Sequence, residues 1–270
     1  MNTRNCVLLG LVMLVAVSGW SAESIPYQTE FEASEGFVAG NSLNGVDGWI
    51  VEGEADAKIT DTVAQNGSQS VMLEANSQID KALTATTEQK VIWMEGYFRG
   101  AGTTADADFP GEPEASAIVF FSATKGIQCL NGDGSGSGSW VDSGISIDDT
   151  QWYKISIRQD YTSHIWRCYV NETAAPDQDL GFRNNIDTLK GFKNFADTVS
   201  YLDTFRVIPA TKGDANGDQM VDAADVVTLV NDINGAAMGL IEKDNADVDN
   251  DGKVDQADLT ALIDKILDKS

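Results

Sequence analysis

Basic residues are scarce in this chain. It holds 18 Lys and Arg against 42 Asp and Glu, a formal net charge of −24. That argues against nucleic acid and anionic membrane as partners, because both demand a basic surface. Histidine is almost missing: the single one, His164, falls at a predicted hairpin turn and leaves little for imidazole acid–base or nucleophilic chemistry. Cysteine is limited to Cys6, Cys129 and Cys168. Long apolar runs are lacking too. The one continuous run, Val7 to Val17, follows Arg4, ends in small residues around Ser18 to Ala22, and is too short for a permanent anchor. Residues 1–22 therefore read as a secretory signal peptide cleaved between Gly19 and Ala22, with Cys6 leaving in it. Nothing else could span a membrane. In an exported protein Cys129 and Cys168 can form one disulfide, or can stand as two buried thiols on neighbouring strands.

What is present is a globular composition, 42% apolar and 22% charged, in 270 residues, enough for one medium domain and a small one. From Glu23 to Ala210 the texture is β. Short alternating runs recur at Tyr27 to Glu32, Trp49 to Glu52, Ser70 to Glu74, Val91 to Arg99, Ala117 to Ala123, Gly126 to Leu130, Trp152 to Gln159, Ile165 to Val170 and Leu202 to Ile208. In the first arm of the clearest hairpin, Tyr153, Ile155 and Ile157 share one face and Lys154, Ser156 and Arg158 the other. So many short strands without a long amphipathic helix predict a mainly β fold, a two-sheet jelly-roll sandwich over residues 23–210. Gly100 to Pro113 reads as a loop and the Gly/Ser run Asn131 to Ser139 as a hairpin tip. The latter lacks the Gly-Lys-Ser/Thr ending of a phosphate loop.

The ordered landmarks Tyr27-Gln-Thr-Glu-Phe-Glu32, Leu43-Asn-Gly-Val-Asp-Gly-Trp49, Gly67-Ser-Gln-Ser-Val71, Trp152-Tyr-Lys-Ile-Ser-Ile157, Ile165-Trp-Arg-Cys-Tyr-Val-Asn171 and Tyr201-Leu-Asp-Thr-Phe-Arg-Val207 resemble those of concanavalin A-like and laminin G-like sandwiches of secreted bacterial proteins. The resemblance implies that the first and last strands pair. It also implies a possible structural calcium near Glu30 or Glu32 with Asp203.

The catalytic signatures of polysaccharide-cleaving jelly rolls are not found. Retaining glycosidases need paired carboxylates, and the Glu-x-Asp-x-x-Glu strand of laminarinase-type enzymes has no counterpart, nor has the Arg-rich strand of alginate lyases. Glu52 and Glu54 could share a strand face, but Gly53 between them suits a surface turn. Sugar binding asks only for aromatic platforms with polar neighbours. Trp49, Trp93, Trp140, Trp152, Trp166, Tyr161 and Tyr169 are available, with Trp93 and Trp166 expected to fill the core. Trp140, beside the Gly/Ser tip, and Trp152, on the Lys154 face, are the candidates for carbohydrate contact.

The tail carries the strongest signal. Asp214, Asn216, Asp218, Asp222 and Asp225 occupy positions one, three, five, nine and twelve of a 12-residue loop, the ligand spacing of an EF-hand calcium site. Asp247, Asp249, Asp251, Asp255 and Asp258 repeat it at a constant 33-residue offset (214 to 247, 225 to 258). Each loop leads into a helical stripe: Val226, Leu229, Val230 and Ile233, then Leu259, Leu262, Ile263, Ile266 and Leu267. No helix precedes the first loop, because Pro209 and Gly213 flank its approach.

These loop–helix units resemble a type I dockerin over residues 213–268, within a domain spanning 211–270. The resemblance implies two calcium ions, one held by the first set with the Met220 carbonyl and one by the second with the Lys253 carbonyl. It implies a cohesin on a scaffold protein as partner, in a cellulosome-like setting. Gln219 stands where the turn prefers Gly, whereas the second loop keeps Gly252. Ala223-Ala224 and Gln256-Ala257 replace the Ser-Thr pair frequent at the partner-reading positions. The expectation is a secreted calcium-binding protein that docks to a cohesin and presents a non-catalytic carbohydrate-binding sandwich in polysaccharide breakdown. Its rivals are a jelly-roll glycoside hydrolase or polysaccharide lyase, and a structural or adhesive spacer.

Overall fold

A computed structural model describes residues 8–12, 21–104 and 115–268. The chain forms two compact units, Met1–Pro209 and Ala210–Ser270. In chain order the strands are β1 (Leu8–Val12), β2 (Glu23–Ser24), β3 (Tyr27–Thr29), β4 (Trp49–Gly53), β5 (Ala57–Thr60), β6 (Ser70–Leu73), β7 (Ser77–Thr84), β8 (Val91–Gly100), β9 (Ala115–Ser122), β10 (Gly126–Gly132), β11 (Gly138–Asp142), β12 (Tyr153–Asp160), β13 (Ile165–Val170), β14 (Thr173–Ala174), β15 (Leu180–Gly181), β16 (Gly191–Ala196) and β17 (Ser200–Pro209). The helices are α1 (Ala223–Ile233), α2 (Leu240–Ala246) and α3 (Gln256–Asp268).

The strands make two sheets. The first runs β11-β10-β9-β1-β16-β7-β2, with β4 also on β7; the second runs β14-β13-β12-β8-β17-β6-β5, with β3 on β17 and β15 on β13. The pairing of β3 with β17 is the closure of first strand on last that the sequence landmarks imply. β1 lies inside the apolar run read as a signal peptide and pairs with β9 and β16. Most of the residues 1–22 lie outside the described residues. Among the described residues no helix is long and apolar enough to cross a membrane.

Alternation decides which side chains fill the space between the sheets. Ile92, Met94 and Phe98 of β8, Tyr153, Ile155 and Ile157 of β12, and Trp166, Cys168 and Val170 of β13 all enter one core. Its aromatic centre is Trp49, fully buried, with the rings of Phe31 and Phe205 at 5.6 Å and Phe192 at 6.1 Å. Each such side chain contributes roughly 2–3 kcal/mol by leaving water. Trp166 is in the core as expected. Trp93 is buried but on the opposite face of β8, stacked on Tyr169 at 5.5 Å. Tyr161 is buried against Phe182 rather than displayed on its turn.

β5, β7, β11 and β16 escaped the sequence reading. β7 shows why: Ser-Gln-Ile-Asp-Lys-Ala-Leu-Thr has polar residues at buried places. Asp80 is 1% exposed and meets Lys193 at 3.0 Å, while Lys81, also 1% exposed, meets Glu23 at 2.6 Å. Strands whose charges are neutralised only by distant partners do not look apolar in sequence.

In the C-terminal unit α1 packs against α3. Leu229 and Leu262 meet Ala215 and Ala246 in a core of few fully buried side chains. Such a core is too small to stabilise a domain of this size unaided. Part of each stripe stays in solvent: Ile233, Ile263 and Leu267 are 37%, 40% and 63% exposed. α2, just before the second loop, was not anticipated.

Candidate calcium centres and polysaccharide surface

The two tail loops are built by one hydrogen-bond pattern. In the first, Asp225 Oδ1 accepts the Asn216 amide and Oδ2 the Asp222 amide; in the second, Asp258 Oδ1 accepts the Asp249 amide and Oδ2 the Asp255 amide. Asp214 Oδ2 accepts from Gln219 N and Asp247 Oδ2 from Gly252 N. Asp222 and Asp255 each take the amide two residues ahead, Ala224 and Ala257, fixing the helix starts. These bonds turn each loop inward, so that carboxylates converge although like charges repel.

A cation would relieve that repulsion. Oδ1 of Asp214 is buried without a hydrogen-bond partner, and burial pushes this carboxyl's pKa up. In the second loop one oxygen from each of Asp247, Asp249 and Asp258 lies within 4.8 Å of the others. An oxygen-only donor set of this kind suits calcium, which takes six to eight oxygens.

Residues 212–267 match the model of the dockerin type I domain. Type I dockerin domains bind calcium and dock to cohesins, and the donor set of this dockerin fits the ion. No curated protein matches the chain. Among solved structures it is similar to a sialidase, at 10% identity and TM-score 0.49, covering 81% of this chain and 21% of that one. The chain thus spans about a fifth of the sialidase's length. It is also similar to domain 4 of AbnA, a GH43 extracellular arabinanase from Geobacillus stearothermophilus, in complex with arabinotriose (12% identity, TM-score 0.38, 60% of this chain and 82% of that one). A third is the CBM22-1 xylan-binding domain of Paenibacillus barcinonensis Xyn10C (16% identity, TM-score 0.30, 71% and 97%).

Two features of the dockerin were not legible in its ligand spacing. Asn245, 1% exposed on α2, donates from Nδ2 to the Asp214 carbonyl at 3.0 Å and accepts the Thr211 amide on Oδ1 at 2.9 Å. Lys212 Nζ donates to the Asp247 carbonyl at 2.8 Å. Each half therefore holds the entrance of the other's loop. Gln219 adopts φ +70°, where Gly252 has +85°, so a side chain occupies the left-handed turn that glycine takes without strain.

In the sandwich, Glu32 and Asp203 come to the same loop. Glu32 Oε1 accepts the amides of Ser68 and Gln69; Asp203 Oδ2 accepts those of Gln65 and Asn66. Gly67 takes φ +60° there, and a Cβ would lie 2.2 Å from Glu32 Oε1, so a side chain at this position would push the Glu32 carboxylate out of the clasp. Glu30 is exposed, and its backbone amide bonds to Glu35. The oxygens of Glu32 and Asp203 are thus engaged by amides in a loop clasp.

The carbohydrate candidates are not brought together. Trp140 pairs in register with Leu130 and packs on Phe120 at 5.6 Å, on the outer face of the first sheet. Trp152 adjoins the outer face of the second sheet, edge-on to Tyr201 at 6.2 Å. Glu52 and Glu54 are both exposed, and Glu52 accepts from Gln78 Nε2. His164 sits at its turn with Nε2 3.3 Å from Asp187. Sequence reasoning also missed the Lys81 cluster: Nζ lies 4.0 Å from the Tyr27 ring centre, and the Tyr27 hydroxyl donates to Asp47 Oδ2 at 2.7 Å. Burial and that acceptor push the phenol's pKa up.

Proposed function

We propose that this is an exported, calcium-dependent docking protein. Its dockerin attaches it to a cohesin-bearing scaffold, and its sandwich is a non-catalytic module that holds polysaccharide. The duplicated loop architecture carries the reading, with Asp214, Asn216, Asp218, the Met220 carbonyl, Asp222 and Asp225 on one ion and Asp247, Asp249, Asp251, the Lys253 carbonyl, Asp255 and Asp258 on the other. Calcium here is structural: it cancels the charge of the converged carboxylates and lets a small core fold. The exposed Val227, Ile233, Ile263 and Leu267, on the helices that begin at Ala223-Ala224 and Gln256-Ala257, offer the apolar contact a cohesin would cover. A third ion at Glu32 and Asp203 is not needed for the clasp, whose carboxylates already accept amides.

Export with loss of residues 1–22, and so of β1 from between β9 and β16, belongs to the same reading and is checked by N-terminal sequencing of secreted protein, expected to begin between residues 20 and 23. The functional test is surface capture of the full chain on immobilised cohesins with and without chelator, followed by incubation with a polysaccharide panel. Calcium-dependent capture with retention of polysaccharide and no released product is expected. Sustained release of oligosaccharides would establish the enzyme alternative instead.

A further inference from the structure

The outer face of the second sheet carries a cross-strand row whose members are far apart in sequence. Tyr201 of β17 pairs in register with Arg99 of β8 and with Met72 of β6, which pairs in turn with Lys58 of β5. On the other side Tyr153 pairs with Phe98, so Trp152 is next in register to Arg99. Phe98 and Leu202 point into the core, and strand alternation therefore turns Trp152, Arg99 and Tyr201 outward together. The Arg99 guanidinium lies 5.7 Å from the Tyr201 ring centre, and Trp152 and Tyr201 meet edge-on.

Arg99 differs from most cations of this acidic chain. Lys58, Lys81, Lys154, Arg167, Lys193, Arg206 and Lys212 each have a carboxylate partner within salt-bridge distance. Arg99 donates Nε to a neutral acceptor, the Asp149 carbonyl, at 2.8 Å. Among the described residues no carboxylate closes on its guanidinium. Asp148 is near enough for Arg99 to help lower its pKa, yet that carboxylate accepts from Thr150, at 2.7 Å from its hydroxyl. One N–H thus fixes the fork, leaving its other N–H groups to a ligand.

On the inner side of the same sheet a recess lies between Phe98 and Phe121, lined also by Asn194, Thr198 and Ser200. Asn194 Oδ1, Thr198 Oγ1 and Ser200 Oγ are buried there without hydrogen-bond partners. Its volume is ≈ 10 Å³, about one water, so it holds no sugar ring.

We propose that Trp152, Arg99 and Tyr201 form the sugar-binding site of the sandwich, and that its ligand is an acidic polysaccharide whose uronate carboxylates are met by this one local guanidinium, against the net negative charge of the chain. This rests on the polysaccharide-binding reading and names its ligand class. The rings supply apolar faces for the C–H side of a pyranose. The guanidinium fork matches a planar carboxylate in two parallel hydrogen bonds.

The test is titration calorimetry of the full chain, in calcium, with polygalacturonate, its methyl ester, a neutral xylan and a sulfated galactan. Tighter binding of polygalacturonate than of its ester is expected. Arg99→Met should weaken polygalacturonate about 10- to 100-fold, the loss of a charge-assisted pair, and abolish the preference over the ester. Tyr201→Ala should weaken both. Lys190→Met, which removes an exposed cation elsewhere, should change neither, and unchanged melting temperatures show that the variants fold. Equal binding of acid and ester, an unaffected Arg99→Met, or binding confined to xylan or to the sulfated galactan overturns the proposal while the polysaccharide reading stands. Binding of no polysaccharide overturns both.

Discussion

Asp225 Oδ1 accepts the backbone N–H of Asn216 at 3.1 Å, so the last predicted ligand of the first loop braces the residue that supplies the second. Asp258 and Asp249 repeat the contact at 3.2 Å. Each terminal aspartate therefore has two tasks, shaping its loop and supplying charge. Asp258→Ala is expected to weaken calcium at the second loop by more than the roughly 10–100-fold typical of losing a supporting group alone. Asp225→Ala should do the same at the first loop. Calorimetric titration should then show one site lost and one kept in each variant. Chelation of the unaltered protein should lower helical circular dichroism, because ion binding and folding of this small core are coupled.

Gln219 offers a gain instead of a loss. Its φ of +70° is a conformation in which a side chain costs roughly 1–2 kcal/mol. Gln219→Gly relieves that strain, although glycine also frees the unfolded chain. The expected outcome is tighter calcium binding at the first loop, by up to about tenfold, with the second loop unchanged.

Asp80 makes the sandwich sensitive to mild acid in an unusual sense. Burial pushes its pKa from 3.8 to about 6, against the opposing pull of Lys193 and Gln78. A carboxyl with a higher pKa folded than unfolded binds its proton more tightly in the folded state. Its contribution to stability is therefore fully present below about pH 4 and lost as pH rises through about 6. At about 1.4 kcal/mol per pH unit this amounts to roughly 3 kcal/mol at most. Denaturant midpoints at several pH values should show Asp80→Asn gaining on the unaltered protein between pH 4 and 7, and the gap levelling on either side.

Cys129 and Cys168 enter the core from opposite sheets and are free thiols. Their mutual contact and their burial push the Cys129 pKa well up. A thiol held protonated and out of solvent is a poor nucleophile. In a chain beginning at Glu23, a thiol reagent should find none in the native state and two after denaturation. A disulfide would leave both readings at zero.

Much of the site chemistry was legible because calcium loops are local. Twelve consecutive residues hold the proposed ligands, the turn and the helix start, so spacing alone exposes them, and the duplicated hydrogen bonds add geometry to a pattern already visible. The hairpin of Tyr153 to Val170 was legible for the same reason, since alternation is a nearest-neighbour property. β7 was not, because the partners that let Asp80 and Lys81 be buried lie on other strands. Asn245 looked like an ordinary polar residue until the fold set it against the Asp214 carbonyl.

The sequence by itself determined the order of the parts: a β-rich body, then a duplicated loop–helix module whose aspartates recur every 33 residues. Only the tertiary structure decided which surface residues act together. It separated Trp140 from Trp152 by placing them against different sheets, and it set Trp152 beside Arg99 and Tyr201. The physical reason is that strand pairing joins residues by register across the sheet, with no regard for their distance along the chain.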